Sequence, residues 1–240
     1  MKNHISKYLI IGILVVSVTN CKKKDADPVP AVPTPITIKP IDFGSSTFGT
    51  VTDNDGNTYK TIVIGGKTWM AENLKSTRYQ NGAALLTGLS DANWSAETAG
   101  AYCDYENKSS NGEFYGHLYN EYVKLDQRGI CPSGWHIPSN GEWLALGAAL
   151  GGVNTAGGKM KEKGTAHWIT PNEGGDNSSG FTGIPGGSRH NGIFNDMGTD
   201  GYWWSSDPGF FFYLTNSLTE LRTKPTAKPD EGLSIRCIKD

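Results

Sequence analysis

The chain is 240 residues long, and its 37% hydrophobic and 10% aromatic residues are enough for a packed core, which excludes a disordered chain. Its 22 Lys and Arg residues against 24 Asp and Glu residues give a net charge of −2, so no basic patch for nucleic acid is expected. The 31 glycines indicate many turns between short elements and disfavour a helical bundle.

The first twenty residues are typical of an export signal. Lys2 and Lys7 give a positive start, and the apolar segment 8–18 has the length of a signal-peptide core, too short for a comfortable membrane span. Cys21 follows directly, so segment 1–20 resembles a lipoprotein signal peptide, which implies lipidation of Cys21. Asn20 is larger than the residue usual before that cysteine. The alternative is an uncleaved N-terminal anchor, and both interpretations place the chain outside the cytoplasm at a membrane.

Residues 21–48 are predicted to be a tether. Their five prolines favour a stiff, extended segment that cannot bury a core. The basic run 22–24, followed by Asp25 and Asp27, resembles the surface-export tags of lipoproteins from the Bacteroidetes lineage. That resemblance implies an outer-membrane protein facing the cell surface, whereas a merely solvated linker is the alternative.

The globular domain is predicted to span 49–240 and to open with an antiparallel meander. Thr50 to Asp53 and Thr58 to Ile64 have the composition of strands around Asp55-Gly56, a typical hairpin turn pair. The same run suggests a calcium loop, but the sixth and twelfth positions counted from Asp53 hold Thr58 and Ile64 instead of glycine and an acid. A hairpin turn is therefore favoured.

Two helices and two further strands are predicted in the rest of the domain. Apolar residues from Tyr115 to Val123 recur at helical spacing, which predicts one helix there. Ser139 and Glu142 form a capping-box pattern ahead of a second helix that ends near residue 150. The apolar runs 210–214 and 233–238 are predicted to be strands.

The sequence has no signature of a metal site or a nucleophile. The five histidines are widely spaced, and no Cys-x-x-Cys occurs. Ser188 lies in a run close to a hydrolase elbow, but His190 stands where glycine is required. No glycine run ends in Lys-Ser or Lys-Thr, so a phosphate-binding loop is not expected.

Seven ordered motifs identify a family. They are WMAENL (69–74), YGHLYN (115–120), CPSGWHIPSNGEW (131–143), GGKMKEKGTAHW (157–168), GFTGIPGGSR (180–189), WWSS (203–206) and GLSIRCIKD (232–240). This series resembles the Fibrobacter succinogenes major paralogous domain, a family without an agreed biochemical role. The resemblance implies an α+β fold, namely a single C-type-lectin-like domain of the formylglycine-generating-enzyme variant. Short antiparallel strands, two main helices and much loop are expected.

The resemblance suggests binding more than catalysis. Formylglycine-generating enzymes hold copper between two closely spaced cysteines, and this chain has no such pair. We expect a non-catalytic binding or adhesion domain that takes a glycan or a protein. The candidate ligand-binding residues are Trp203, Asn195, Asp196 and Arg189, whereas most other tryptophans, including 135, 143 and 204, are expected in the core. An unrecognised enzyme of this fold and a structural surface-coat component are the alternatives.

No cofactor is expected, although calcium is considered for two polar runs. Residues 172–177 and 195–200 are rich in Asn and Asp, whose oxygens suit calcium, but plain turns are favoured. C-type lectins bind sugar through calcium with Glu-Pro-Asn and Trp-Asn-Asp motifs, and neither occurs here.

Three cysteines remain after Cys21, so at most one disulfide forms within the mature chain. The family resemblance implies Cys131–Cys237, because a cysteine near the first main helix commonly bonds one in the last strand of such folds. Cys103–Cys237 is the second possibility, and three free thiols is the third.

Overall fold

Short strands and turns form most of the protein in the computed structural model, which describes residues 39–225 and 229–240. The predicted signal peptide and Cys21 lie outside the described residues. The strands are β1 (Gly49–Thr52), β2 (Thr58–Ile64), β3 (Lys67–Met70), β4 (Tyr102–Cys103), β5 (Leu118–Tyr119), β6 (Trp135–His136), β7 (Ser188–His190), β8 (Ile193–Asn195), β9 (Asp200–Trp204), β10 (Phe210–Thr215), β11 (Arg222–Pro225) and β12 (Ile238–Lys239). The α-helices are α1 (Asp91–Ala96), α2 (Ser109–Tyr115), α3 (Glu121–Leu125), α4 (Asn140–Ala149) and α5 (Val153–Met160), with a 3₁₀ turn at Tyr105–Asn107.

The strands pair antiparallel in four small sheets. The largest has the order β1-β2-β3-β12-β6, the second has the order β11-β10-β9, and β4-β5 and β7-β8 form two-stranded ribbons. The chain is therefore a small mixed α/β domain with mostly antiparallel sheets and few helices. No helix within 39–225 and 229–240 is both long and apolar enough to cross a bilayer.

The opening meander is confirmed. β1 pairs with β2 and β2 pairs with β3, and Gly56 takes the left-handed backbone (φ +87°) that the hairpin turn needs. The Asp53 carboxylate accepts hydrogen bonds from the Tyr59 hydroxyl (2.5 Å), the Ser76 hydroxyl (2.7 Å) and the Asn57 amide (2.9 Å). Asp53 therefore organises the turn, as the hairpin interpretation predicts.

The single helix predicted from Tyr115 to Val123 is wrong. α2 ends at Tyr115, and β5 and a separate α3 follow. Gly116 has φ +80°, and a Cβ there would lie 2.6 Å from Asn73 Cβ. The amide after Gly116 donates to the Leu74 carbonyl at 3.1 Å. Contact with segment 73–74 therefore interrupts the predicted helix after Tyr115.

The capped helix is confirmed as α4. The Ser139 hydroxyl accepts from the Glu142 amide, and the Glu142 carboxylate accepts from the Ser139 amide at 2.9 Å, which completes the capping box. The strand predicted at 210–214 is confirmed as β10. The strand predicted at 233–238 is shorter, because only Ile238 belongs to β12 and residues 233 and 234 pair as isolated bridges.

The compact unit begins at Lys39, earlier than the predicted boundary at 49. The Asp42 amide donates to Glu162 Oε1 at 2.7 Å, and the rings of Phe43 and Phe48 pack edge to face at 5.7 Å. Residues 39–48, which we call the strap, therefore lie on the domain and are not part of a free tether.

Tryptophan and phenylalanine rings form much of the core. Trp143 lies 5.2 Å from Trp69 and 5.3 Å from Phe212, measured between ring centroids, and all three rings are buried. The core positions predicted for Trp135, Trp143 and Trp204 are confirmed. Edge and stacked contacts of this kind add stabilisation to the burial of apolar area.

A buried arginine connects three of the motifs. Arg236 lies 4.2 Å from the Phe181 ring centroid and donates from Nε to Asn73 Oδ1 at 2.8 Å. Its other nitrogens donate to the carbonyls of Phe181 and Thr182. Asn73 Oδ1 also accepts from Trp203 Nε1 at 2.8 Å. Burial lowers the pKa of Arg236 to about 9, so the guanidinium is still cationic near neutral pH.

A disulfide joins Cys131 to Cys237, the pair that the family resemblance implies, with Cα atoms 5.9 Å apart. It ties the segment before β6 to the closing strand β12. Cys103 is a free, buried thiol, and burial raises its pKa to about 12, so it is neither ionised nor exposed at neutral pH.

Candidate functional site

A surface cleft of about 310 Å³ lies where the β7–β8 hairpin meets one face of the three-stranded sheet. Polar and charged side chains dominate its walls. The lining residues are Ser188, His190, Asn195, Asp196, Tyr202, Phe211, Lys224, Glu231 and Leu233. We refer to this feature as the β7–β11 cleft.

Strand alternation explains which residues face the cleft. Side chains on a strand point to opposite faces in turn, so Trp203 enters one part of the core, while Tyr202 lies half-buried on the other face together with the buried Trp204. Across the sheet, Tyr202 pairs with Tyr213, and Phe211 pairs with Lys224. The rings of the two tyrosines stack at 5.7 Å, and the Lys224 ammonium lies 5.5 Å from the Phe211 ring centroid. The face is therefore both aromatic and cationic.

One tyrosine hydroxyl lies between two carboxyl groups in the cleft. Tyr202 Oη is 2.9 Å from Asp196 Oδ2 and 2.9 Å from Asp200 Oδ2. A phenol has one proton and ionised carboxylates only accept, so both contacts are hydrogen bonds only if one carboxyl is protonated. Burial raises the pKa of Asp200, and this outweighs the lowering by hydrogen bonds from Thr215 and Tyr202. The raised pKa makes Asp200 easier to protonate than a solvent-exposed aspartate.

A tight turn places Asp196 against Tyr202. Asp196 has a left-handed backbone (φ +65°), and its carbonyl accepts from the amides of Thr199 (3.1 Å) and Asp200 (2.9 Å). The Asp196 carboxylate thus projects from the end of β8 toward the neighbouring strand β9.

Gly187 allows this turn to pack closely. Gly187 has φ +67°, and a Cβ there would lie 2.5 Å from the Asn195 carbonyl oxygen and 2.8 Å from the Met197 amide nitrogen. Only glycine fits that space without moving the backbone of the turn.

The opposite wall of the cleft carries a histidine and an acid. His190 Nδ1 lies 3.7 Å from Glu231 Oε1, and the Glu231 side chain is largely buried. Together with Asp196 and the half-buried Tyr202, these groups offer hydrogen-bond acceptors, donors and an aromatic ring in one concave site, which the buried Phe211 also lines. Such a combination suits a polyhydroxylated ligand.

Two of the four predicted ligand-binding residues line the cleft, namely Asn195 and Asp196. Trp203 has no exposed ring face, because it is fully buried. Arg189 is also fully buried, where its guanidinium stacks 4.6 Å from the Trp94 centroid and donates to Asp91 Oδ1 at 2.7 Å. Both residues support the fold around the cleft and present no surface to a ligand.

Sequence reasoning missed Tyr202, Lys224, His190 and Glu231. The alternation in segment 200–204 was the available signal for Tyr202, since it places Tyr202 on the strand face opposite Trp203. Nothing local marks the other three residues, which reach the cleft from different segments.

Three other histidines of the described residues lie within hydrogen-bond distance of an acid through Nδ1. The nearest carboxylate oxygen lies 2.7 Å away for His117 (Asp104), 2.6 Å for His136 (Asp240) and 2.6 Å for His167 (Glu162). His136 also places Nε2 3.0 Å from Glu142 Oε1. These pairs are separate from the cleft.

Within the described ranges 39–225 and 229–240, no group of three or more His, Cys, Asp or Glu side chains could hold a metal ion. In the polar run 172–177, Asn172 Nδ2 donates to the Glu162 carbonyl at 2.9 Å, and Asn177 Oδ1 accepts from the Thr182 amide at 2.9 Å. Both side chains stabilise turns. Calcium binding by the two runs stays a hypothesis from the sequence.

The Fibrobacter succinogenes major domain family matches residues 62–239, so the chain belongs to that family. A comparison with curated proteins and with solved structures found no match.

Proposed function

We propose that this member of the Fibrobacter succinogenes major domain family is a non-catalytic binding protein that holds a glycan in the β7–β11 cleft. The observation that carries the proposal is the half-buried Tyr202, whose hydroxyl is held between Asp196 and Asp200 in the cleft. Fixed acceptors beside a partly exposed aromatic ring are what sugar hydroxyls and the apolar face of a pyranose require.

The charge pattern of the cleft supports binding of a neutral or mixed-charge glycan. Asp196 and Glu231 provide acceptors, and Lys224 and His190 provide donors. Because both signs of charge line the site, a strongly anionic or strongly cationic ligand would meet repulsion from the lining groups of its own sign.

We further propose that the domain has the C-type-lectin-like fold of formylglycine-generating enzymes. The bond between Cys131, ahead of α4, and Cys237, beside the closing strand, supports this. So does the pairing of β3 with β12, which joins the two ends of the domain in one sheet.

We propose that the protein is a lipoprotein anchored through Cys21 and displayed at the outer face of the outer membrane. Metabolic labelling with a palmitate analogue should tag the wild type and leave Cys21→Ala unlabelled. Cys103→Ala is the matched control, because that thiol is buried and should not affect labelling. Equal labelling of Cys21→Ala would exclude lipidation at Cys21.

A glycan array probed with the labelled full chain tests the binding function, followed by calorimetric titration of each glycan that binds. We expect Tyr202→Phe and Asp196→Asn each to weaken binding about tenfold, because each removes a polar contact worth about 1.4 kcal/mol. Tyr213→Phe is the matched control, since Tyr213 stacks on Tyr202 but does not line the cleft.

Two results would contradict the proposal. One is an array without a binding glycan. The other is a glycan whose affinity is the same for the wild type, Tyr202→Phe and Asp196→Asn, because the ligand would then occupy a different surface.

A further inference from the structure

The strap is attached to the domain through one buried acid–histidine pair. The Asp42 amide donates to Glu162 Oε1 at 2.7 Å, and His167 Nε2 lies 2.8 Å from the Lys39 carbonyl oxygen. Glu162 Oε2 and His167 Nδ1 are 2.6 Å apart, and the two side chains are 0% and 2% exposed. Both bonds from the strap therefore end on the same ion pair, beneath the surface.

The geometry determines the protonation of His167. Nδ1 faces a carboxylate and Nε2 faces a backbone carbonyl, and both partners only accept hydrogen bonds. Both ring nitrogens must donate for both bonds to exist, which requires the imidazolium. A neutral ring has one N–H, so it must lose its hydrogen bond either to Glu162 or to the Lys39 carbonyl.

The surroundings of the ring favour the imidazolium. Burial lowers the pKa of His167, but the hydrogen bond and charge of Glu162 outweigh it, so that the pKa lies above its ordinary value. The Lys39 ammonium opposes this slightly. The ring also packs on Phe114 (4.7 Å) and Tyr115 (6.3 Å). The Tyr115 hydroxyl stays neutral, because burial and Glu162 raise its pKa.

The other attachments of the strap are apolar contacts and longer polar ones. None of residues 39–48 is fully buried, and Ile41, Phe43 and Phe48 are half-buried. Asn177 Nδ2 donates to the Asp42 carbonyl at a long 3.3 Å, and the Lys60 ammonium lies 5.0 and 5.8 Å from the Phe43 and Phe48 centroids. The two bonds to the buried pair are therefore the main polar attachments.

We propose that the strap is a pH-sensitive latch, docked while His167 is protonated and released when His167 loses its proton. Since the docked pKa is raised, docking is most stable below the undocked pKa and is lost as the pH rises through the docked pKa. Protonation and docking are linked, so undocking the strap by other means must lower the affinity of His167 for its proton.

Release would have two consequences. It would add residues 39–48 to the predicted tether, a gain of roughly 30 Å for an extended segment of this length. It would also open a cavity of about 200 Å³ near Arg236, because Pro40, Ile41 and Phe43 form one of its walls.

Hydrogen exchange of the full chain tests the latch, because the Asp42 amide donates one of the two hydrogen bonds that join the strap to the Glu162–His167 pair. We expect strong protection of this amide at about pH 5.5 and at least about tenfold less protection at about pH 9, after correction for intrinsic exchange. Amides of β2 and β3 should keep their protection at both pH values. In His167→Gln the Asp42 amide should be weakly protected throughout.

His136→Gln is the matched control, because it makes the same change at a histidine that is also paired with acids but does not touch the strap. It should leave exchange at Asp42 unchanged. Equal protection of the Asp42 amide at both pH values in the wild type would overturn the proposal.

A second variant covers the case in which His167→Gln does not fold. Asp42→Pro removes the donating amide and leaves the buried pair intact. By linkage, the pKa of His167 measured by NMR should fall toward its ordinary value in this variant. An unchanged pKa of His167 would show that docking and protonation are not coupled, and would overturn the proposal.

Discussion

Gly187→Ala tests whether the turn that carries Asp196 needs a residue without a side chain beneath it. The left-handed backbone of Gly187 (φ +67°) costs an L-residue about 1–2 kcal/mol. The new methyl group would also lie 2.5 Å from the Asn195 carbonyl oxygen and 2.8 Å from the Met197 amide, and both are backbone atoms that move only with the turn. Overpacking typically costs about 1–3 kcal/mol more, so we expect a loss of about 2–5 kcal/mol in the free energy of unfolding.

Gly209→Ala separates the clash from the backbone cost. Gly209 has a similar φ of +72°, but nothing lies within 4 Å of its Cβ position, so this variant should lose only about 1–2 kcal/mol. Urea unfolding followed by tryptophan fluorescence measures both values. If Gly187→Ala is no less stable than Gly209→Ala, close packing beneath the turn is not what requires glycine at position 187.

Three further predictions concern the rest of the domain. Ser139→Ala should lower the free energy of unfolding by about 0.5–2 kcal/mol through loss of the N-cap, and an unchanged denaturation midpoint would exclude that role. The double replacement of Cys131 and Cys237 by serine opens a loop spanning a sequence separation of 106 and should cost up to about 4–5 kcal/mol; a cross-linked peptide containing Cys103 in the unreduced wild type would contradict the pairing. His136→Gln should lower the free energy of unfolding more at about pH 5.5 than at about pH 9. Burial lowers the pKa of His136, but its two carboxylate partners outweigh this and raise the pKa, so the imidazolium stabilises the fold at low pH. A loss of stability that is the same at both pH values would argue against a stabilising imidazolium at position 136.

Local elements were predictable wherever a few neighbouring residues contain the whole signal. The Asp55-Gly56 turn and the Ser139–Glu142 capping box depend on backbone angles and hydrogen bonds within four residues, and both occur as predicted. The helical spacing from Tyr115 to Val123 did not produce one helix, because the close contact at Gly116 separates α2 from β5 and α3.

The candidate site is different, because no single segment contains it. Asn195 and Asp196 were predicted from their composition, but Lys224 and Glu231 reach the cleft only through the pairing of β10 with β11 and the return of the chain before β12. Trp203 was predicted to bind a ligand, but its ring is enclosed by the core and has no surface to offer.

By itself, the sequence determined the family, the predicted export signal, the apolar core and the turns and caps, since each depends on residue type at short spacing. The tertiary structure alone decided which acids meet Tyr202, that Arg189 is enclosed by Trp94 and Asp91, and that the strap rests on His167. These contacts join residues up to 128 positions apart. Short-range sequence patterns do not specify such pairs, because only the packing of the core brings the distant segments together.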